Sequence, residues 1–321
     1  MLRLIAIAAI SLATVQFAGT ARAQQTYPTR TVRLILPFNP GSAVDITARL
    51  FANRLSERWG KPVVIENRPG GDGLVAIGAY VSAKDDHTLF FGPVGIFTAL
   101  PYQHETLPYD ARDLVPIVSV SVNVLAFSVP TSLHVEKLSD LVALARAKPG
   151  ILNAAAAQGT TDFLLSGFIT NLDLQIVKVP YRDIMQAPND LAESRIQLLS
   201  TSLAVALPMA QAGRIKVLAV TSRQRAPIAP DVPTVTEAGY PALTMESVVG
   251  LFGPRSMSES LRESIAADFR KIAADPAIEP RLNDTGQIMS LRGPAELAAS
   301  VQEQRDQFAA IAKKMGLKAA Q

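Results

Sequence analysis

A Pro-Gly turn followed by Ser42 and, three residues on, Asp45 is the first place where this sequence sets up chemistry. Ser-x-x-Asp is a helix-opening pattern: the serine caps N–H groups of the first turn, and the acid suits the positive end of the helix dipole. Ahead of it run Phe38, Asn39, Pro40 and Gly41, residues of tight, fixed turns. A strand that turns directly into a helix leaves backbone N–H groups unpaired, which makes a site for a carboxylate or other anion. Ala156, Ala157, Gln158, Gly159, Thr160 and Thr161 form a second turn of this kind, with one glycine and two hydroxyls before a helix. Gly92-Pro93-Val94-Gly95 is a third tight turn that a small molecule could approach, and Ser200, Thr201 and Ser202 add hydroxyls after another strand.

Catalytic alternatives find less support. No histidine neighbours a serine-bearing elbow, G-x-S-x-G is absent, and no carboxylate pair marks an acid/base site. The three histidines (His87, His104, His134) are far apart and cysteine is absent, so no metal or other cofactor is expected. Gly71-x-Gly73-x-x-Ala76 has dinucleotide-site spacing, but Arg68-Pro69 separates it from its strand and no later strand carries the acidic partner. The reading is a binding protein and not an enzyme, with Ser42 and Asp45 spent on the helix start.

The elements that must position these turns alternate. Residues 31–36, 62–66 and 88–91 read as strands, with a helix from Ile46 to Trp59 and another through Leu74, Ile77 and Val81. Residues 115–129 are almost continuously extended and can pass from one domain into another. The pattern then restarts, with a helix at 138–147, strands at 151–156, 176–180, 196–199 and 215–221, and intervening helices. An extended return at 244–252 and helices near 258–274 and 294–314 finish the chain. This predicts an α/β protein of two lobes with mainly parallel sheets, ligand turns at the carboxyl ends of the strands, and hinge closure. Lobe 1 is assigned to 24–122 plus 248–321 and lobe 2 to 123–247.

Residues 1–23 read as a signal peptide: Arg3, an apolar run, then Ala21-Arg22-Ala23 as the cleavage site. The chain has 31 basic and 28 acidic residues, and loss of Arg3 and Arg22 leaves the two nearly equal. With no Lys/Arg run either, nucleic acid is not an expected partner.

Ordered motifs then carry a family resemblance: Pro37-Phe38-x-Pro40-Gly41 with Asp45, Val64-x-Glu66-Asn67-Arg68-Pro69-Gly70, Leu107-Pro108-Tyr109-Asp110, Ala147-Lys148-Pro149-Gly150, Val179-Pro180-Tyr181, Gln211-Ala212-Gly213-Arg214, and Pro230-Asp231-Val232-Pro233-Thr234. They resemble the solute-binding receptors of tripartite tricarboxylate transporters, the Bug proteins, over nearly the whole mature chain. The resemblance implies the two-lobed periplasmic binding protein fold, with a hinge of two crossing strands and a ligand cleft. It implies a carboxylate pinched between the turn of Phe38, Asn39, Gly41, Ser42 and Ala43 and that of Ala157, Gln158, Gly159, Thr160 and Thr161. Pro93, Tyr181, Arg182 and Thr201 complete the candidate ligand set. The chain departs from the family's pattern at Asn39, Phe163, Arg182 and Thr201, the last in place of a frequent aspartate. Loss of that acid beside Arg182 favours a second carboxylate over an amine. The expected ligand is therefore an aliphatic dicarboxylate of about four to six carbons gripped by charge-assisted hydrogen bonds. An aromatic carboxylate near Phe38, or a sensing role coupled to a membrane kinase, is the alternative. The implied partners are membrane permease subunits, and the implied form is a periplasmic monomer.

Mass spectrometry of the exported protein is expected to show Gln24 as its first residue; an intact Met1 would refute the processing site.

Overall fold

The structure is a computed structural model that describes residues 27–157, 159–181 and 184–320. The proposed leader and cleavage site, and Gln158 and Arg182, lie outside the described residues. In chain order the elements are β1 (Val32–Leu36), α1 (Ala43–Trp59), β2 (Val63–Asn67), α2 (Leu74–Ala83), β3 (Thr88–Pro93), α3 (Val94–Ala99), β4 (Val115–Asn123) and β5 (Leu125–Pro130). There follow α4 (Leu138–Ala147), β6 (Asn153–Ala156), α5 (Thr160–Asn171), β7 (Val177–Lys178), α6 (Ala187–Ala192), β8 (Leu198–Ser202), α7 (Leu203–Gln211) and β9 (Ile215–Val220). The chain closes with β10 (Ser247–Gly253), α8 (Glu259–Ala273), α9 (Ile278–Asp284), β11 (Gln287–Met289) and α10 (Pro294–Lys314).

Two sheets carry the fold, as the α/β reading requires. The first has the order β11-β4-β10-β3-β1-β2 and the second β7-β6-β8-β5-β9. Their direction corrects the expectation of mainly parallel sheets. β1 is parallel to β2 and β3, and β6 to β7 and β8. β10 is antiparallel to β3 and β4, β11 to β4, and β5 to β8 and β9. The reversal has a physical source: β4, β5 and β10 lie where the chain passes between sheets, and they run back against the strands of the βα units.

The extended run at 115–129 breaks at Val124, with β4 in the first sheet and β5 in the second. Val124 leaves both ladders because its N–H donates to the Gly286 carbonyl (3.2 Å) and its carbonyl accepts from Leu203 (2.8 Å). The buried polar backbone at the crossover is thereby satisfied.

Each sheet is covered by helices whose apolar face reads from the sequence. α1 buries Val44, Ala48, Phe51, Ala52 and Leu55 against Leu34, Leu36 and Phe269, with Phe51 stacked on Phe269 at 5.1 Å. Gly60 ends the helix in the left-handed region (φ 63°), which glycine adopts without a steric penalty. α10 belongs to both bodies. Its Leu297 and Val301 join the cluster of Phe97 and Phe252, while Phe308, Ile311 and Ala312 join that of Phe127, Phe163 and Phe168 around the second sheet. Phe308 stacks on Phe163 at 4.4 Å, and Tyr102 meets the edge of the same ring at 5.7 Å. Among the described residues no helix is long and apolar enough to cross a membrane.

Phe308→Ala is expected to destabilise the fold by about 3–5 kcal/mol, since it empties a fully buried aromatic site shared by two elements. A urea midpoint unchanged from that of the parent chain would show that α10 is dispensable to the second core.

Candidate functional site

The turn after β1 is braced by one buried carboxylate. Gly41 sits at φ 85°, where a side chain is strained, and Ser42 caps α1 by accepting from the Asp45 N–H at 3.3 Å. Asp45, 1% exposed, accepts from the Gly41 N–H and Arg49 Nε at 2.9 Å each on Oδ2, and from Asn67 Nδ2 at 2.9 Å on Oδ1. Asn67 Nδ2 also donates to the Phe38 carbonyl (3.0 Å), so β2 holds the loop after β1. Burial by itself would raise the Asp45 pKa. The hydrogen bonds from Arg49, Gly41 and Asn67 outweigh it and hold the carboxyl below its ordinary range. Asp45 is thus a brace, as the helix-start reading requires, and it occupies the Gly41 amide. The Ser42 N–H donates to the Asn39 carbonyl (3.3 Å). Among the described residues this leaves the N–H groups of Ala43 and Val44 without partners at the start of α1. Phe38 is half-buried against the core cluster of the first sheet, and Asn39 is exposed.

The turn after β6 is held differently. Gly159 (φ 82°, ψ −138°) precedes α5, and no side chain caps the helix. The first intrahelical bond runs from the Phe163 N–H to the Gly159 carbonyl (3.2 Å), so the N–H groups of Thr160, Thr161 and Asp162 have no partner among the described residues. Thr161 Oγ1 donates to the Ala157 carbonyl at 2.7 Å, and Ser200 Oγ donates to the Thr161 carbonyl at 3.1 Å. Asp162, in the first turn, is paired with Lys178 at 2.5 Å, which offsets its charge beside the uncapped N–H groups. Thr160 and Thr201 are only 8% and 6% exposed, and neither hydroxyl has a hydrogen-bond partner among the described residues.

The turns after β1, β2 and β3 meet one another. A Cβ placed on Gly92 would lie 3.3 Å from Pro37, and one on Gly73 would lie 2.5 Å from Ile96 and 3.6 Å from Pro37. Gly73 is therefore needed for close approach, whereas Gly71 has only ordinary contacts and sits at φ 55° in the turn. Pro93 is buried as the N-cap of the short α3. The start of α3 lies against Thr160, so the turns of the two sheets face each other.

The starts of α1 and α7 are joined by a residue that sequence reasoning missed. Gln287, 1% exposed on β11, brings Nε2 to 3.0 Å from the Ala43 carbonyl and 2.7 Å from Thr47 Oγ1, while Ser121 Oγ donates to its Oε1 at 2.6 Å. The preceding Gly286 packs on Ala204 in the first turn of α7. A lone glutamine in a polar run carries no sequence signal; only burial reveals it. Ser202, expected as a free hydroxyl, donates to Asn123 Oδ1 (3.1 Å) and ties the end of β8 to the crossover.

Tyr181 points within its own body. Its hydroxyl donates to Asp190 Oδ2 at 2.7 Å, and Asp190 pairs with Arg195 at 2.7 Å. Burial, then the bond to Asp190 and its charge, push the phenol up to about 12 and keep it neutral. A polar cavity of about 470 Å³ lies elsewhere, lined by Arg223, Thr236, Pro241, Thr244, Glu303 and Gln307. Arg223 there is paired with Glu303 at 2.6 Å, and nearby Arg292 with Glu246 at 3.0 Å, so the charge of each arginine is already offset by a carboxylate of the protein.

Two α/β bodies joined by crossing strands, with helix starts facing across the junction, define the periplasmic binding protein fold. The chain belongs to the tripartite tricarboxylate transporter family receptors, whose sequence pattern matches residues 47–317. A Pseudomonas sp. (strain P51) protein described as the UPF0065 protein in the tcbD-tcbE intergenic region is 30% identical over 305 residues, covering 92% of this chain and 89% of its own. The structure of R. palustris Rpa4515 with adipate is 30% identical, with a TM-score of 0.78 over 91% of this chain and 99% of that one. MatC from Rhodopseudomonas palustris with bound malate is 26% identical, with a TM-score of 0.74 over 89% and 99%. Like the other members, this chain is a solute-binding receptor.

The Asp45 carboxyl is more acidic folded than unfolded, so its stabilisation is complete above the ordinary aspartate pKa and is lost as pH falls through the lower folded value. Asp45→Asn is expected to cost roughly 1.5–3 kcal/mol at neutral pH. In thermal melts the gap from the parent should close below about pH 4. A gap that persists undiminished at pH 2 to 3 would show that the charge is not what braces the turn.

Proposed function

We propose that this receptor is exported to the periplasm and captures an aliphatic dicarboxylate of about four to six carbons between its lobes, in the size range that helix N–H groups and charge-assisted bonds can hold at both ends. The lobes are residues 24–122 plus 248–321 and residues 123–247. It hands the ligand, as a monomer, to the permease subunits of a tripartite tricarboxylate-type transporter.

The observation that carries this reading is the pair of open helix starts. At α1 the Ala43 and Val44 N–H groups, and at α5 those of Thr160, Thr161 and Asp162, have no partner among the described residues. Each helix has at least twelve residues, long enough for its dipole to add to the local N–H field. Two such starts on opposite bodies suit a carboxylate and a second acidic or polar end, with the buried Thr201 hydroxyl as a further donor. Supporting this, the two similar R. palustris structures hold adipate and malate, dicarboxylates at the upper and lower ends of the proposed size range. The site draws its donors mainly from backbone, so specificity rests on the spacing of the helix starts more than on any single side chain.

A thermal-shift screen over aliphatic diacids, tricarboxylates, benzoates and amino acids tests the class. A diacid at about 100 times its dissociation constant is expected to stabilise the protein by roughly 2.7 kcal/mol. Shifts from amino acids or uncharged solutes alone would refute the carboxylate reading. For the best diacid, Thr201→Val is expected to weaken binding by about 1.5–3 kcal/mol in calorimetry, the worth of one bond to a charged group. An unchanged affinity would remove Thr201 from the site.

A further inference from the structure

Gly95 stands at the second position of α3, and its backbone is outside the left-handed region, so its own conformation does not call for glycine. What calls for glycine is the opposite body. A Cβ at Gly95 would overlap Thr160 Oγ1 and approach Thr160 Cβ to 3.0 Å. Thr160 opens α5 and is 8% exposed; rotation about χ1 can move Oγ1 but not Cβ, which is fixed to the start of the helix and would still lie at 3.0 Å. Retreat of α3 would pull Thr98, on the same helix, away from a buried partner. Gln304 lies 3.6 Å from the same Cβ position, is 4% exposed, and is fixed by Thr98 Oγ1 and by its own bond to the Glu246 carbonyl, both at 3.0 Å.

We infer that Gly95 and Thr160 form a steric key between the bodies: the missing side chain at 95 lets the start of α5 seat against α3, and so sets where its open N–H groups lie relative to those of α1. Gly95 is a positioning residue and touches no ligand. Its consequence for affinity rests on the carboxylate-cleft reading; the contact itself does not.

The test is a cycle of Gly95→Ala, Thr160→Gly and the double variant, melted without ligand and titrated with adipate and with malate. Alanine is the better helix former, so on local propensity Gly95→Ala would raise stability. The key predicts a lower melting temperature and an affinity weaker by about tenfold or more, with the double variant regaining part of both losses, as contacting residues do. Additive effects of the two substitutions, or a Gly95→Ala protein that melts and binds like the parent, would overturn the key. If the parent chain binds neither diacid, the ligand reading fails, and the key is then judged on the ligand-free melting coupling alone.

Discussion

An α-helix begins with N–H groups that have no partner inside it, and this protein arranges where that deficit is met. At α1 part of it is met by Ser42, and Asp45 turns back to take the Gly41 amide. At α7 the Leu203 N–H is taken by the Val124 carbonyl at the crossover. At α5 no described side chain caps the start, and the acid of its first turn, Asp162, is paired with Lys178. In the proposed carboxylate site this difference matters. Capping stabilises a turn and silences it, whereas an uncapped start buried near a second sheet keeps its dipole available for a solute.

The buried Asp45 carboxylate shows what such a site costs in support. A loop that must expose its amides cannot tie itself down with those same amides. The rigidity comes instead from β2, through Asn67 to Phe38 and Asp45, and from one helical turn onward, through Arg49. Gln287 does the same from the far side by engaging the Ala43 carbonyl and Thr47. The loop is fixed by its carbonyls and by a carboxylate, leaving the Ala43 and Val44 N–H groups without partners among the described residues.

Much of this was legible in the chain. The helices at 138–147 and 294–314 were read to the residue because apolar periodicity and flanking Pro-Gly or Gly-Pro punctuation agree there. The two polar turns were legible because glycine, small residues and hydroxyls cluster between a strand run and a helical run. The break at Val124 was not, since valine suits an extended chain on either side and the groups that divide β4 from β5 come from residues 203 and 286. Strand direction was misread for a related reason: periodicity shows that a segment is a strand but not which neighbour it meets. The bond from the Tyr181 hydroxyl to Asp190 was not legible either, because the pattern of a strand end does not say which helix its next side chain meets.

The proposed closure has to accommodate the last helix. α10 contributes Leu297 and Val301 to the core beside the first sheet and Phe308 and Ile311 to the core of the second, so it cannot follow either body freely. Between those halves stand Glu303 and Gln304, which reach Arg223 and the Glu246 carbonyl next to the crossing strand β10. Gln304 is 4% exposed and bonded at both its oxygen and its nitrogen, so the middle of α10 is anchored as its apolar ends are. α10 is thereby tied to both bodies along its length, with the Phe163–Phe308 stack as its contact with the second. The proposed closure around a small acid therefore has to shift the start of α5 relative to the turn after β1 within what that shared helix allows.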